Sequence, residues 1–245
     1  MDNKIEQLQK IIDSSNKIVL FTGAGISVPS GIPDFRSATG LYNTSSGIGY
    51  RAEEIISHSF FMRNKEDFYK FYKEKMLFPD AKPNAAHIYF AKLEQAGKML
   101  ATVTQNIDGL HQLAGAKKVY ELHGSVHRNY CMKCNAFYDL NYVVSQDGVP
   151  KCSKCAGTLK PDVVLYEEGL DSETLYGALN AIQDADILII IGTSLVVNPA
   201  ASLVNYFRGN NLVLINKSET FADDRADLVI HEDCAKVCES LKIPN

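Results

Sequence analysis

The sequence predicts an α/β protein built on a doubly wound, Rossmann-like parallel sheet that is interrupted by two smaller excursions. Six short runs that are apolar nearly throughout, separated by helical patterns, are typical of parallel strands covered on both faces. An aromatic-rich stretch at 40–80 has little strand character, and a cysteine-rich stretch at 128–160 also breaks the alternation. Together these observations predict one main lobe with two insertions.

The apolar runs give the strands of the sheet. They lie at 17–21, 99–104, 118–122, 186–191, 211–215 and 226–230. The main lobe is therefore expected to comprise residues 1–39, 81–127 and 161–245, with a helical insertion at 40–80 and a small module at 128–160.

Helical patterns fill the segments between the strands. Asn84 is expected to cap a helix that ends at Gly97, Ser172 to cap a helix over 173–185, and a third helix to run from Pro199, at the N1 position, to about Gly209. The N-terminal 16 residues place apolar side chains at helical spacing without an apolar core followed by small residues, so no secretory signal is expected. Those side chains are Ile5, Leu8, Ile11 and Ile12.

Two Cys-x-x-Cys pairs mark the small module. Cys131 and Cys134 are separated by residues 135–151 from Cys152 and Cys155, a spacing typical of four thiolates around one Zn²⁺. A thioredoxin-like redox pair and four unrelated buried cysteines are the alternatives. Because a four-thiolate site is closed, it leaves no position for a reacting water, and the chemistry is expected elsewhere. The module is therefore predicted to be a structural zinc ribbon.

Composition limits the function classes. The chain has 245 residues, 46% of them hydrophobic, and a formal net charge of −4, which argues against broad binding to a phosphate backbone. No apolar run approaches the ~20 residues that cross a bilayer. With four cysteines assigned to metal, Cys234 and Cys238 are expected as free thiols on one helix face, which suits a reducing, cytoplasmic location.

Polar residues follow several of the predicted strands. Gly23-Ala24-Gly25 comes directly after the first strand, where glycines let the backbone approach a pyrophosphate, although Val28 occupies the third glycine position of a dinucleotide fingerprint and a tight packing turn is the alternative. Other strand ends carry Gly192-Thr193-Ser194 and Asn216. Since ligands bind at the carboxyl edge of such sheets, a nucleotide site is expected there.

Two further strand ends carry candidates for chemistry. Gln105-Asn106-Ile107-Asp108 ends one strand, and polar groups there are costly unless they bind something. His123, followed by Gly124, ends another and is a candidate general base, with a core histidine as the alternative. The other five histidines are expected to be structural or exposed.

Taken together, these motifs resemble the sirtuin family of NAD-dependent protein lysine deacylases, and the compact length is similar to that of its small bacterial members. The matching segments run in family order and cover most of the chain. They are GAGIS (23–27), GIPDFR (31–36), KPNAAH (82–87), TQNIDGLH (104–111), ELHGS (121–125), the two cysteine pairs and GTSLVVNPA (192–200).

The resemblance implies an enzyme that transfers an acetyl group from a lysine of a protein or peptide to ADP-ribose, with release of nicotinamide. It implies His123 as general base, a loop of Asp34, Phe35 and Arg36 over the cofactor, and one structural Zn²⁺. The NAD groove would comprise Gly23, Ala24, Gly25, Val28, Gln105, Asn106, Ile107, Asp108, Gly192, Thr193, Ser194, Asn216 and, on the adenine side, Asp233. The peptide would add as a strand between 163–166 and 195–197, touching Val164, Tyr166, Leu195 and Val197.

The chain departs from the family pattern beside the peptide site. Tyr166-Glu167 stands where the family has Phe-Gly, which adds a charge and removes backbone freedom. Tyr72 stands at the arginine of the Tyr-x-x-Arg pair, beginning here at Tyr69, by which some members bind acidic acyl groups. Because a buried anion without a cation is strongly penalised, neutral acyl groups are expected, acetyl first.

Two alternative functions remain open at this stage. The same NAD site would serve a mono-ADP-ribosyltransferase that passes the sugar to a protein side chain. A zinc ribbon with lysines around its cysteines could instead bind nucleic acid, although few stacking aromatics accompany them and no nucleic-acid partner is expected. The sequence leaves the oligomeric state undetermined.

Overall fold

The structure is a computed structural model that describes residues 2–38, 40–43 and 47–244. Its strands, in chain order, are β1 Ile18–Thr22, β2 Met99–Thr104, β3 Val119–Glu121, β4 Gly124–Cys131, β5 Phe137–Tyr138, β6 Leu159–Val163, β7 Ile187–Ile191, β8 Asn211–Ile215 and β9 Leu228–Ile230. Its α-helices are α1 Asp2–Asp13, α2 Ala52–Ile55, α3 His58–Arg63, α4 Lys65–Lys75, α5 Ala85–Gln95, α6 Leu110–Leu113, α7 Leu140–Val144, α8 Ser172–Asp184 and α9 Cys234–Glu239.

Six strands form one parallel sheet in the order β3-β2-β1-β7-β8-β9. Counted among themselves they follow the 3-2-1-4-5-6 order of doubly wound dinucleotide-binding sheets. The strand order reverses between β1 and β7, and ligands of such sheets bind at the carboxyl edge beside this point. The predicted fold class is confirmed.

Both faces of the sheet are buried, which explains the continuous apolar runs. In β1, Ile18 and Leu20 face a core formed with α1, α5 and α9, whereas Val19 and Phe21 face the core beneath α8. Strands β7 and β8 divide their side chains between the two faces in the same alternating way. A strand that packs against apolar layers on both faces carries few polar side chains before its end, so most polar groups gather at the edge of the sheet.

The two insertions together make a smaller lobe with its own core. Helices α2, α3 and α4 pack their aromatic side chains against the antiparallel sheet β5-β4-β6. The small sheet begins at Gly124 and ends at Val163, so it extends across both expected limits of the 128–160 module. Because β4 follows β3 after only two residues, the small lobe is joined directly to the edge of the main sheet.

Two of the expected helices differ in detail. The cap of α8 is Asp171, whose carboxylate accepts the N–H of Thr174 at 2.8 Å, and Ser172 is already helical. The segment after Pro199 is a 3₁₀-helix over Ala200–Tyr206 instead of an α-helix, with Pro199 at the N-cap. Asn84 caps α5 as expected. Among the described residues, no helix is long and apolar enough to cross a membrane.

Candidate active site

A cavity of about 590 Å³ lies at the carboxyl edge of the main sheet, between the sheet and the smaller lobe. It brings together most of the residues that the sequence predicts for the site. These are Gly23, Ala24, Gly25, Val28, Asp34, Phe35, Arg36, Gln105, Asn106, Ile107, Asp108, His123, Val164, Tyr166, Gly192, Thr193, Ser194, Val197 and Asn216.

Two predicted residues lie outside the cavity wall. Leu195 is 2% exposed and packs into the core beneath α8, because its left-handed backbone (φ 55°) turns the side chain inward. Asp233 caps α9 through the N–H of Ala235 and pairs with Lys217 at 2.8 Å. Its neighbours Glu232 and Cys234 line the cavity instead.

The glycine turn after β1 is pressed against the end of β7. A Cβ on Gly23 would lie 2.7 Å from the Thr193 Cβ, and one on Gly25 would lie 2.6 Å from the Gly192 Cα, so neither position accepts a larger residue without displacing backbone. The N–H groups of Gly23 and Gly25 already donate to the carbonyls of Ile191 and Gly192. The glycines therefore allow close approach at this edge, and other groups must donate to a bound phosphate.

His123 is held as a neutral base. Its Nδ1 lies 2.9 Å from the Gln105 carbonyl oxygen, and since a carbonyl only accepts, Nδ1 carries a proton, so that Nε2 holds the lone pair of the neutral ring. Burial lowers the pKa of His123, and the hydrogen bond to Gln105 opposes this only in part. A Cβ on Gly124 would lie 1.9 Å from the Asp162 carbonyl, so the glycine lets β6 pass directly behind the histidine. The Val164 N–H also donates to the His123 carbonyl at 3.0 Å.

Asp108 is fixed by a buried chain of hydrogen bonds that includes Ser27, which the sequence reasoning missed. The Ser27 hydroxyl donates to Asp108 Oδ2 at 2.7 Å and accepts from Asn106 Nδ2 at 3.1 Å, while the Leu110 N–H donates to Asp108 Oδ1 at 2.9 Å. Burial raises the pKa of Asp108, and the bonds from Leu110 and Ser27 counteract that rise. The position of Ser27 within GAGIS, five residues past the strand, is the signal that could have marked it.

The backbone carbonyls of the segment 105–108 accept hydrogen bonds from the residues that follow β3 and from the start of β4. Besides the bond from His123, the Val126 N–H donates to the Ile107 carbonyl at 3.0 Å, and His127 Nε2 donates to the Asp108 carbonyl at 3.0 Å. A Cβ on Gly109, whose φ is 72°, would lie 2.7 Å from the His127 ring. His127, expected to be structural or exposed, thus lines the cavity and supports the segment that ends β2.

The loop that carries Asp34, Phe35 and Arg36 is ordered by its own contacts. The Asp34 carboxylate accepts the N–H of Arg36 at 2.9 Å, which forms a local turn. The ring of Tyr42 packs against Phe35, with ring centroids 5.4 Å apart, and lies 5.3 Å beneath the Arg36 guanidinium. The Tyr42 hydroxyl lies 2.8 Å from the hydroxyl of Tyr166, across the cavity mouth.

The segment that contains Tyr166 is bound to the helical insertion. The Tyr166 N–H donates to the Ile56 carbonyl, and its carbonyl accepts the His58 N–H at 2.9 Å. Glu167 has a φ of 76°, which favours glycine, and its carboxylate accepts the N–H and the hydroxyl of Ser59 at 2.8 and 3.0 Å. The Glu167 carboxylate is therefore hydrogen-bonded to the helical insertion. This residue, at which the chain departs from the family pattern, connects the segment to α3.

The residues used to infer acyl preference lie behind the cavity. Tyr69 and Tyr72 are fully buried, and the Tyr69 hydroxyl donates to the Leu159 carbonyl. The cation that lines the cavity from this insertion is Lys75, which pairs with Glu74 at 2.9 Å. The wall near Lys75 is otherwise apolar, with Met76, Phe78 and Leu140.

The four cysteines of the two Cys-x-x-Cys pairs converge at the far end of β4. Their sulfur atoms all lie within 4.8 Å of one another, and the three closest pairs are 3.4, 3.4 and 3.6 Å apart. Tetrahedral Zn²⁺ with Zn–S bonds of about 2.3 Å requires sulfur separations of about 3.8 Å, so the donor set fits one zinc ion. Backbone N–H groups of Lys133 and Lys154 point at Cys131 and Cys152, each at 3.4 Å. The cluster lies apart from the cavity.

The chain is similar to known proteins in both sequence and fold. A family model described as the Sir2 family matches residues 23–199. An NAD-dependent protein deacetylase of Clostridium perfringens is 61% identical over 97% of this chain and 98% of its own, and one of Clostridium acetobutylicum is 58% identical over 98% of each. A solved structure of Sir2 with a p53 peptide and NAD⁺ has a TM-score of 0.84 at 40% identity, covering 96% of this chain and 95% of that one. Sir2 bound to an acetylated peptide has the same TM-score at 38% identity, over 96% and 95% of the two chains.

Proposed function

The chain belongs to the Sir2 family, and we propose that the cavity is the active site of an NAD-dependent protein lysine deacetylase with His123 as its general base. The enzyme moves the acetyl group of an acetyl-lysine onto ADP-ribose and releases nicotinamide. The observation that carries the assignment of the base is the hydrogen bond from His123 Nδ1 to the Gln105 carbonyl, which leaves Nε2 free to take a proton.

The residues around the cavity fit NAD as co-substrate. NAD supplies a sugar carbon that accepts the acetyl oxygen when nicotinamide leaves. Gly23 and Gly25, packed on the end of β7, line the cavity at the point where the strand order reverses, which is where doubly wound sheets bind dinucleotides. Asn216 and Ser194 lie at the rim for the ADP-ribose portion, and Arg36 provides a cation for the phosphates.

The nicotinamide end is assigned to the segment 105–108. Asp108 holds a carboxamide through a carboxylate that Ser27 and Leu110 orient, and Asn106, 8% exposed, is oriented by the same serine. Ile107 and Phe35 line the cavity as apolar surfaces that exclude water. Water exclusion matters because water at the sugar carbon would hydrolyse NAD without any acetyl transfer.

His123 has its protonation state set for the second half of the reaction. Once the acetyl oxygen is joined to the sugar, Nε2 would remove a proton from a ribose hydroxyl, and that oxygen would bond to the acetyl carbon. After one water adds to the same carbon, its bond to the lysine nitrogen breaks, so free lysine leaves and the acetyl group remains on ADP-ribose. Burial lowers the pKa of His123, so the ring remains neutral and able to accept this proton to a lower pH than an exposed histidine.

The protein substrate is assigned to the groove between 163–166 and 195–197. Val164, Tyr166 and Val197 line the cavity, and Val196 is 54% exposed beside them. Because the backbone of Tyr166 is already bonded to the insertion, its contribution to the peptide comes from its side chain. Leu195 supports the second segment from the core.

The proposal favours neutral acyl groups, because a buried acidic acyl group needs a cation, and Tyr72, at the arginine position of the Tyr-x-x-Arg pair, is fully buried behind the cavity. Incubation with NAD and acetyl-lysine or succinyl-lysine peptides tests this preference. Faster release of succinyl groups would contradict it.

The decisive experiment measures nicotinamide release that depends on an acetyl-lysine peptide, with mass spectrometry of the products. Free lysine together with O-acetyl-ADP-ribose supports the proposal, whereas ADP-ribosylated protein supports the transferase alternative. His123→Ala should abolish acetyl transfer while zinc content and thermal unfolding remain as in the unsubstituted protein. Acetyl transfer that persists in this variant would contradict the assignment of His123 as a base, and the zinc and unfolding measurements show whether an inactive variant has kept its fold.

The remaining parts of the proposal concern organisation. We propose that the main lobe, expected at 1–39, 81–127 and 161–245, binds NAD, with 40–80 and the expected 128–160 module as insertions. The second insertion extends over 124–163, because it includes all of β4 and β6. A cytoplasmic location is supported by the six cysteines, none of which forms a disulfide bond. Fractionation of cells that produce the protein tests the location.

A further inference from the structure

The hydroxyl groups of Tyr42 and Tyr166 lie 2.8 Å apart, and both residues line the cavity. Tyr42 follows the loop assigned to the cofactor, and Tyr166 lies in the segment assigned to the peptide. We propose that this hydroxyl bridge couples binding of the ADP-ribose portion of NAD to binding of the acetyl-lysine peptide. The inference rests on the proposed function for the identity of the two ligands.

On the cofactor side, Tyr42 is connected rigidly to the loop. The Tyr42 N–H donates to the Phe35 carbonyl at 2.9 Å, and the Leu41 N–H donates to the Asp34 carbonyl at 2.8 Å. The Tyr42 ring also contacts the Phe35 ring and lies under the Arg36 guanidinium. A displacement of Tyr42 therefore moves the residues that cover the cofactor and face its phosphates.

On the peptide side, Tyr166 is fixed at its backbone. Both of its backbone groups are bonded to the insertion, at Ile56 and His58, and Glu167 next to it is held by Ser59. The side chain is left as the part that can adjust to a peptide, and its hydroxyl is the group that reaches Tyr42. A peptide that orients this side chain consequently favours one position of the loop.

The expected magnitude follows from a single hydrogen bond between two half-buried hydroxyls. Such a bond contributes enough free energy to change an equilibrium by roughly 2- to 10-fold. Coupling is reciprocal, so the peptide should tighten ADP-ribose binding by the same factor as ADP-ribose tightens peptide binding.

A double-mutant cycle tests the bridge. Tyr42→Phe, Tyr166→Phe and the double variant each remove hydroxyls while keeping the rings, and Tyr176→Phe, at a tyrosine that is 64% exposed on α8, is the matched control. Calorimetry gives the dissociation constant of ADP-ribose with and without an acetyl-lysine peptide. We expect the ratio of the two constants to fall by roughly 2- to 10-fold in either single variant, with no further fall in the double variant.

Other results overturn the inference. It fails if the unsubstituted protein shows no coupling, if the single variants keep its ratio, or if the two substitutions have independent, multiplicative effects. ADP-ribose carries no nicotinamide, so the measurement does not depend on turnover. A protein that shows the coupling but no peptide-dependent nicotinamide release would retain the bridge and lose the proposed function, and the reverse outcome would retain the function alone.

Discussion

Ser27→Ala removes one oxygen from the buried chain that orients Asp108 and Asn106. Ser27 is fully buried, and its hydroxyl serves both side chains at 2.7 and 3.1 Å, so alanine leaves a carboxylate oxygen and an amide N–H without their partner. A hydrogen bond to a charged group contributes about 1.5–3 kcal/mol. We expect kcat/KM for NAD to fall roughly 10- to 100-fold, since about 1.4 kcal/mol corresponds to a factor of ten.

The pH profile distinguishes this role from a loss of packing. The Ser27 hydrogen bond lowers the pKa of Asp108 against the effect of burial, so its removal raises that pKa further. The acid limb of kcat/KM for NAD should therefore move to higher pH. For a carboxyl whose folded pKa is raised, the stabilising contribution is present at low pH and is lost as pH rises through the folded pKa, so the deficit in thermal stability should shrink in acid.

The assay combines initial rates at varied NAD, inhibition by nicotinamide and thermal unfolding. A destabilisation of about 1–3 kcal/mol lowers Tm by roughly 2–12 °C in a chain of this size. Ser145→Ala, which removes an exposed hydroxyl bonded to the Tyr142 carbonyl, is the control and should match the unsubstituted protein. If Ser27→Ala unfolds earlier yet keeps the original KM for NAD, nicotinamide inhibition and pH profile, Ser27 has no role in the nicotinamide site.

Three further predictions concern two buried side chains, His87 and Cys131, and the exposed ring of His127. Burial lowers the pKa of His87 to about 4, so its contribution to the unfolding free energy is present above about pH 6.5 and is lost as pH falls towards 4. The expected loss is about 3 kcal/mol, and an unfolding free energy that did not change across this range would contradict the prediction. Cys131→Ser should lower zinc content and unfold the small sheet, with loss of deacetylation measured beside circular dichroism; full activity in zinc-free protein would refute a structural site. His127→Phe keeps a ring against Gly109 but loses the hydrogen bond to the Asp108 carbonyl, so nicotinamide should inhibit this variant roughly 2- to 10-fold less well. His127→Gln supplies an amide donor and should largely restore inhibition, and equal inhibition of the two variants would exclude the hydrogen bond as the cause.

The strands and the site edge could be predicted because one physical constraint determines both. A strand covered on two faces is apolar to its end, so Thr22-Gly23 and Ile191-Gly192 mark in the sequence where the edge begins. The spacing of the cysteines likewise identifies the zinc cluster, because ligand geometry leaves few alternatives. Expectations of this kind depend on neighbours in sequence or on one repeating environment.

The remaining features depend on contacts between distant segments. Glu167 satisfies its charge on Ser59, more than a hundred residues earlier, and no local pattern shows this. The orientation of Tyr72 into the core depends on which face of α4 meets the small sheet. At the start of α8, Asp171 and Ser172 are equally good caps, and only the path of the chain decides between them.

The order of strands in the main sheet has a consequence for synthesis of the chain. The central strand β1 pairs with β2, about eighty residues later, and with β7, which ends at residue 191. The sheet β5-β4-β6 and its cysteines, in contrast, are complete by residue 163. On the ribosome, the metal cluster can therefore assemble before β7, which pairs with one edge of β1, has been synthesised. An unpaired apolar strand is a template for aggregation, and during this interval its protection depends on factors outside the chain.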